Sequence, residues 1–426
     1  MLNCKNPIII YYIMNLPLKY RPRTFKDVVG QEHIVKTLQN ALKYRKIANA
    51  YLFTGQRGIG KTTIARIFAK GLNCINGPTP DPCAECEICK EIEAGNSLDV
   101  IEIDGASNRG IDQIRELREN VRFLPVKARY KVIIIDEVHM LTNEAFNALL
   151  KTLEEPPENV VFIFATTEPR KIPETVLSRV QRFDFRPLTE TVLINRLKYI
   201  CHNEDIECED EALKIIYEAS EGSMRDAISL LEQAYIYGNG KIETLTLREI
   251  LGILEDEIFD GIFNAILAED ATQVLKILRD SLNKGYSLFD FHKGMVKATS
   301  LLLEAVLLGY KNRYSKFAEY FSEIDMLYMF KILKDMEQTL KLSNYPRALF
   351  EYELVKLAYI KRISPLSVSA QSENRISYHK DSITQETDTL PDILAEDAKK
   401  SKMSQNSIIK RLIKEFNLKE VNDGSV

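Results

Sequence analysis

The 426-residue chain opens without an apolar run long enough to cross a bilayer. Its early apolar stretch, Ile8 to Met14, falls well short of the ~20 residues a membrane helix needs. No small-residue cleavage site follows that stretch and Lys5 is the only charge before it, so it does not read as a secretory signal. A large charge of either sign is also missing. Lys and Arg number 57 against 61 Asp and Glu, a net −4, which excludes a free-standing basic nucleic-acid binder but not local basic patches. The seven cysteines are odd in number, and four fall between Cys74 and Cys89. That argues against a secreted disulfide framework and for a reduced, cytoplasmic chain with a metal site. We find no internal repeat. Apolar residues at 45% and charged residues at 28% exclude disorder or collagen for the bulk of the chain, whose length suits about three domains.

What is present is an alternation. Tyr51-Leu52-Phe53, Val100 to Ile103, Val132 to Ile135 and Val160 to Phe164 are short, β-branched or aromatic runs with polar or glycine bounds, as strands are. The last two are almost wholly apolar, like buried parallel strands. Thr62 to Leu72 reads as a helix between them, as does the stretch from Leu141 to Leu153, stopped by Pro156-Pro157. Strands and helices in turn predict an α/β parallel sheet covered on both faces. From about Gln181 strands are expected to stop. Glu190 to Cys201, Glu209 to Ala219 and Ser223 to Tyr237 predict three helices, with Ser223 and Asp226 as a capping-box-like pair. Residues from about Thr246 to Arg362 read as all-helical. A Ser/Thr/Gln-rich linker and a basic amphipathic end helix around Ile408 to Phe416 follow.

Gly55-Gln56-Arg57-Gly58-Ile59-Gly60-Lys61-Thr62 fits the phosphate-binding pattern G-x-x-x-x-G-K-[ST]. Its glycines let backbone N–H groups wrap phosphate oxygens at the positive end of the next helix. Lys61 would reach the β- and γ-phosphates, and the Thr62 hydroxyl would bind Mg²⁺. Val132 to Ile135 ends in Asp136-Glu137, two carboxylates at the sheet edge where α/β ligands bind. Asp136 would hold Mg²⁺ through water and Glu137 would deprotonate an attacking water, which is hydrolysis chemistry. A hydroxyl of Thr166-Thr167 at the next strand end can sense a γ-phosphate; strand-end threonines without that role are common. Cys74-x₈-Cys83-x₂-Cys86-x₂-Cys89 offers four thiols to one structural Zn²⁺. An iron–sulfur cluster is the alternative occupant. Cys4, Cys201 and Cys208 are left over as inert thiols.

Several stretches now combine: Leu18-Lys19-Tyr20-Arg21-Pro22 with Phe25, Val28 to Gln31 and His33, then the phosphate loop and cysteine knuckle, then Asp136 to Leu141, Asn147 to Pro157 and Ala165 to Thr167. Together they closely resemble the gamma/tau subunits of bacterial DNA polymerase III, clamp-loader ATPases of the AAA+ class. The resemblance is dense from about Leu16 to Tyr237 and diffuse from there to Arg362. It implies a P-loop AAA+ fold with an inserted zinc knuckle, a three-helix lid and an all-α collar. The implied boundaries are 16–180 for the ATPase domain with the knuckle at 74–89, 181–243 for the lid and 244–362 for the collar. Residues 363–395 would be a linker and 396–426 a tail helix. Residues 1–15 would be an extension, with Met14 the expected natural start.

The resemblance also assigns roles. Tyr20, Arg21, Pro22 and Val29 would line the adenine pocket, and residues 55–62 with Thr63 would hold the phosphates. Thr167 matches the first sensor and Arg225, in Gly222 to Asp226, the second. Ser178-Arg179 matches a motif whose Arg enters a neighbouring subunit's ATP site; Val180 stands where the family has Cys. Implied partners are the other loader subunits, in a hetero-pentamer held by the collar, the beta sliding clamp, primer-template DNA and, through the tail, the polymerase core. Lys151 faces DNA under this reading, or is a plain solvated helix residue. The implied activity is ATP hydrolysis in a loader that opens the clamp. No polymerase carboxylate constellation is identifiable, so a polymerase label would belong to the holoenzyme. Another AAA+ DNA motor, such as a branch-migration helicase, and a mainly structural replisome hub are the alternatives.

Overall fold

The computed structural model describes residues 15–363. The expected N-terminal extension, linker and tail helix therefore lie outside the described residues, save Asn15 and Ile363. A five-stranded sheet, parallel throughout, forms from β1 (Ala50–Thr54), β2 (Val100–Asp104), β3 (Lys131–Asp136), β4 (Val160–Thr166) and β5 (Gln181–Asp184), in the order β2-β3-β4-β1-β5. Its first helices are α1 (Glu32–Lys43), α2 (Lys61–Asn73), α3 (Glu87–Ala94), α4 (Ile111–Val121) and α5 (Asn143–Glu154).

Side chains alternate across the pleat, so each strand feeds two cores. Tyr51, Phe53, Val132, Ile134, Val161 and Ile163 pack on one face with Ile64 and Phe68 of α2. Leu52, Ile133, Ile135, Phe162 and Phe164 pack on the other with Leu117 of α4 and Phe146 and Leu149 of α5. Burial on both faces is why β1 and β4 are buried at every position and read as continuous apolar runs.

The expectation that strands stop at Gln181 fails. β5 pairs with β1 in parallel from Tyr51↔Gln181 to Thr54↔Asp184. It is an edge strand in which only Phe183 is buried, so it lacks the apolar run that marked the inner strands. The sheet thus reaches past residue 180.

Beyond it lies a helical bundle of α6 (Glu190–Asn203), α7 (Asp210–Ser220), α8 (Met224–Tyr237) and α9 (Thr244–Ile250). Two-residue strands β6 (Glu207–Cys208) and β7 (Lys241–Ile242) pair beside it. Its core holds Leu193, Leu197, Ile216 and Leu231. The expected capping box is half made. Ser223 Oγ accepts from Asp226 N at 3.3 Å, but the Ser223 N–H already donates to Ser220 O at 2.9 Å, so nothing is left for the Asp226 carboxylate to satisfy. A second helical bundle follows: α10 (Asp256–Leu267), α11 (Ala271–Asn283), α12 (Leu288–Leu308), α13 (Glu323–Leu342) and α14 (Pro346–Ala358). It is built around Phe263, Phe291, Met329 and Phe350. No helix among the described residues is long and apolar enough to cross a membrane.

Candidate functional site

The loop between β1 and α2 needs left-handed backbone at Gly58 and Gly60 (φ +78° and +107°), which glycine adopts without Cβ strain. At Gly58 a Cβ would also stand 2.0 Å from Ser223 Oγ. The loop is tied to α8 by its backbone as well, Arg225 N donating to Gly58 O at 3.3 Å. Lys61 begins α2 and is 5% exposed. Its ammonium donates to Gly55 O at 2.7 Å and Gln56 O at 2.8 Å. Burial lowers its pKa, while Glu137 and Asp136 act in the opposite sense. Thr62 Oγ1 donates to Asp136 Oδ2 at 2.6 Å. The two proposed Mg²⁺ ligands, 74 residues apart in sequence, thus meet at one point.

Glu137 follows β3 in the left-handed region (φ +46°) and its N–H donates to Asp136 Oδ1 at 2.9 Å. For a non-glycine residue that is a sparsely populated conformation, of the kind that gathers at functional sites. Its Oε2 accepts from Thr167 Oγ1 at 3.1 Å. Thr166, wholly buried, places Oγ1 3.0 Å from His139 Nδ1. Of the two threonines, Thr167 is the one touching the acidic pair. His139 has contacts the sequence did not announce, its Nδ1 lying 3.3 Å from Glu137 Oε2 and its Nε2 3.4 Å from Glu168 Oε1. Its only signal was its place two residues past the acidic pair.

The residues expected around adenine divide into two pairs. Arg21 and Pro22 line a cleft of about 470 Å³ with Thr63, Arg66 and Lys70, and Arg21 Nε donates to Thr63 Oγ1 at 3.2 Å. Burial, then the nearby Arg66, lowers the Arg21 pKa. Tyr20 and Val29 instead pack against the core of the first helical bundle. The Tyr20 hydroxyl donates to Glu204, and burial and then that carboxylate push its pKa up to about 12. Arg225 is exposed in the first turn of α8, beside the loop. Arg179 lies elsewhere, past the single helical turn Glu174–Leu177. It donates to Thr175 O at 2.6 Å, Ser178 Oγ at 3.0 Å and Glu154 Oε1 at 2.8 Å. Gln56, Arg57 and Lys151 are exposed; Ile59 is buried.

Cys74, Cys83, Cys86 and Cys89 converge, with all four Sγ atoms within 4.8 Å of one another. A tetrahedron of ~2.3 Å Zn–S bonds needs sulfurs about 3.8 Å apart, so the set fits zinc. Backbone N–H groups of Glu85 and Cys86 hold the Cys83 thiol down to about 6, whereas burial pushes Cys89 up. Helix α3, which carries Cys89, is anchored to α2 by Lys70 Nζ to Glu93 Oε2 at 2.9 Å. Cys201 and Cys208 both pack in the first helical bundle, where Cys208 Sγ donates to Glu209 O at 3.6 Å.

Comparison with known proteins gives the following. A family model described as DNA polymerase III, delta subunit matches residues 30–189, and one described as DNA polymerase III clamp loader subunit, ATPase lid domain matches residues 193–240. DNA polymerase III subunit tau of Bacillus subtilis is 43% identical over 348 residues, 79% of this chain and 62% of that protein. Subunit tau/gamma of Haemophilus influenzae is 49% identical over 264 residues, 62% of this chain but 38% of that protein. The chain thus spans less than two thirds of those two relatives. Subunit gamma of Buchnera aphidicola subsp. Acyrthosiphon pisum is 40% identical over 352 residues, 80% of this chain and 98% of that protein. Among solved structures, the Thermotoga maritima RuvB Holliday junction branch migration motor aligns at a TM-score of 0.42 and 22% identity, over 58% of this chain and 79% of that one. Nothing further rests on that likeness.

Proposed function

The chain belongs to the tau/gamma subunit family of bacterial DNA polymerase III, and from that premise we propose that it is an ATP-hydrolysing motor subunit of the replicative clamp loader. It would open the beta sliding clamp and load it on primed DNA in the cytoplasm. The observation that carries the reading is the meeting of Thr62 and Asp136 at 2.6 Å beside Lys61 and Glu137. That is the donor set for a nucleotide phosphate and its cation.

Lys61 turns from the Gly55 and Gln56 carbonyls to the β- and γ-phosphates. A Mg²⁺ held by Thr62 and Asp136 would supply charge neutralisation there. Glu137 takes a proton from the water whose oxygen bonds to the γ-phosphorus, and the bond to the β-phosphate oxygen breaks, giving ADP and phosphate. Thr167, which already holds Glu137, is the γ-phosphate sensor, and Arg225 reaches the same phosphate from α8. Arg21 and Pro22 would meet the base from the cleft they line, and Tyr20 and Val29 from the side of the first helical bundle. Arg179 extends to the ATP site of a neighbouring subunit.

The four cysteines form a structural zinc knuckle, the bundle after residue 185 is the lid, and the C-terminal bundle is the collar of a hetero-pentamer. DNA would be held through its backbone in the central chamber, so affinity falls steeply with salt. Lys151 is a candidate contact there.

The test is reconstitution with the other loader subunits. ATP hydrolysis should rise when clamp and primed DNA are both present, and Glu137→Gln should bind ATP without turnover. Hydrolysis indifferent to clamp and DNA would overturn the loader reading.

A further inference from the structure

The imidazole of His139 is only 6% exposed, yet it touches three polar groups, one of them the proposed base Glu137. It sits in the single turn Val138–Met140, where buried Val138 fixes the backbone. Its Nδ1 faces Glu137 Oε2 at 3.3 Å and Thr166 Oγ1 at 3.0 Å. Its Nε2 faces Glu168 Oε1 at 3.4 Å, and Glu168 is in turn held by Lys171 Nζ at 2.9 Å. Thr166 Oγ1 also accepts from Glu168 N at 3.0 Å. A buried imidazole between two carboxylates and a buried hydroxyl is expensive to place unless its nitrogens are satisfied there.

From this geometry we propose that His139 is a positioning residue for hydrolysis, its Nδ1–H shared between Thr166 Oγ1 and Glu137 Oε2, so that Thr166 fixes the ring and the ring fixes the Glu137 carboxylate. The proposal rests on Glu137 being the base. Glu137 leaves its strand through a left-handed residue, so its backbone alone does not aim the side chain along β3. Two groups set the aim instead. Thr167 donates to Oε2 from the end of β4, and His139 Nδ1 stands 3.3 Å from the same oxygen on the turn after β3. The carboxylate is thereby referenced to two strands at once. His139 touches neither Thr62 nor Lys61 in this arrangement, so the nucleotide can bind without it; what it governs is the direction in which the base points.

Three substitutions in the full chain separate this role from packing. His139→Leu keeps bulk and removes both nitrogens. His139→Asn retains a polar group near the Nδ1 position, and His139→Gln near Nε2. ATP affinity, read by equilibrium binding, should stay within about twofold for all three. Under reconstituted conditions with clamp and primed DNA, kcat of His139→Leu should fall about tenfold, the size of one hydrogen bond to a charged group. His139→Asn should recover most of that loss and His139→Gln little of it. Adding His139→Leu to Glu137→Gln should cost nothing further, because the two act as a unit. The inference is overturned if His139→Leu turns over normally, if Asn and Gln are equally poor, or if the loss lies in ATP affinity. Normal turnover by Glu137→Gln itself would instead overturn the assignment of the base.

Discussion

At the scale of single residues, the site is a small set of charges held ready by neighbours. Lys61 is nearly buried with its ammonium on two loop carbonyls, so phosphate oxygens would replace partners already of the right kind. Lys61→Ala removes charge-assisted hydrogen bonds of ~1.5–3 kcal/mol each, and ATP affinity should fall about a hundredfold in a binding titration. The phosphate loop, the acidic pair and the cysteines were legible because their spacing is fixed by local geometry. The tie between Thr62 and Asp136 follows from two strands lying two places apart in the sheet, with β4 between them. The role of His139 was not legible. Its three partners come from the β3 and β4 ends, and only their juxtaposition makes the imidazole more than one of five histidines.

Elements show the same contrast. Inner strands buried on both faces announce themselves, whereas β5, with one buried residue in four, does not. Asp99, at the entry to β2 and 2% exposed, holds a loop in place. Its carboxylate accepts from Val126, Lys127 and Ala128 N–H at 2.7–2.8 Å. Burial acts to raise its pKa, but the three N–H groups outweigh that and leave it below the ordinary 3.8. A depressed carboxylate stabilises the fold fully above its unfolded value and less as pH falls through the folded one. Asp99→Asn should therefore cost about 2 kcal/mol at pH 7 in urea unfolding, and the gap from wild type should close as pH drops below 3.8. The cysteine knuckle is testable at the same scale. One zinc per chain should be found by elemental analysis, and Cys86→Ser should lower both zinc content and Tm. Iron in its place would select the cluster alternative.

For the whole molecule, Arg179 is the informative side chain, because it lies away from its own chain's phosphate loop, braced by Glu154, Ser178 and Thr175. Arg179→Ala should leave ATP binding to the same chain unchanged while hydrolysis at the neighbouring subunit falls about a thousandfold, as loss of an arginine finger does. Site-by-site hydrolysis in mixed assemblies of wild-type and variant subunits reads the difference. A net charge of −4 says almost nothing about the proposed DNA contact, since an average over the chain hides where exposed cations such as Lys151 are placed. The helical half was legible as helix from its periodicity but not in its packing, because apolar stripes do not name the stripe they meet. The bond from Arg225 to Gly58 then has a mechanical meaning. Helix α8 is a rod of 14 residues, ~21 Å long, gripped at its first turn by the proposed phosphate loop. Its far end, at Tyr237, hydrogen-bonds Glu249 of α9. A tilt of about 5° at the gripped end would swing the far end by about 2 Å. A shift of the loop on phosphate binding would then be carried along α8 as by a lever, with its short arm at Gly58 and its long arm at Tyr237.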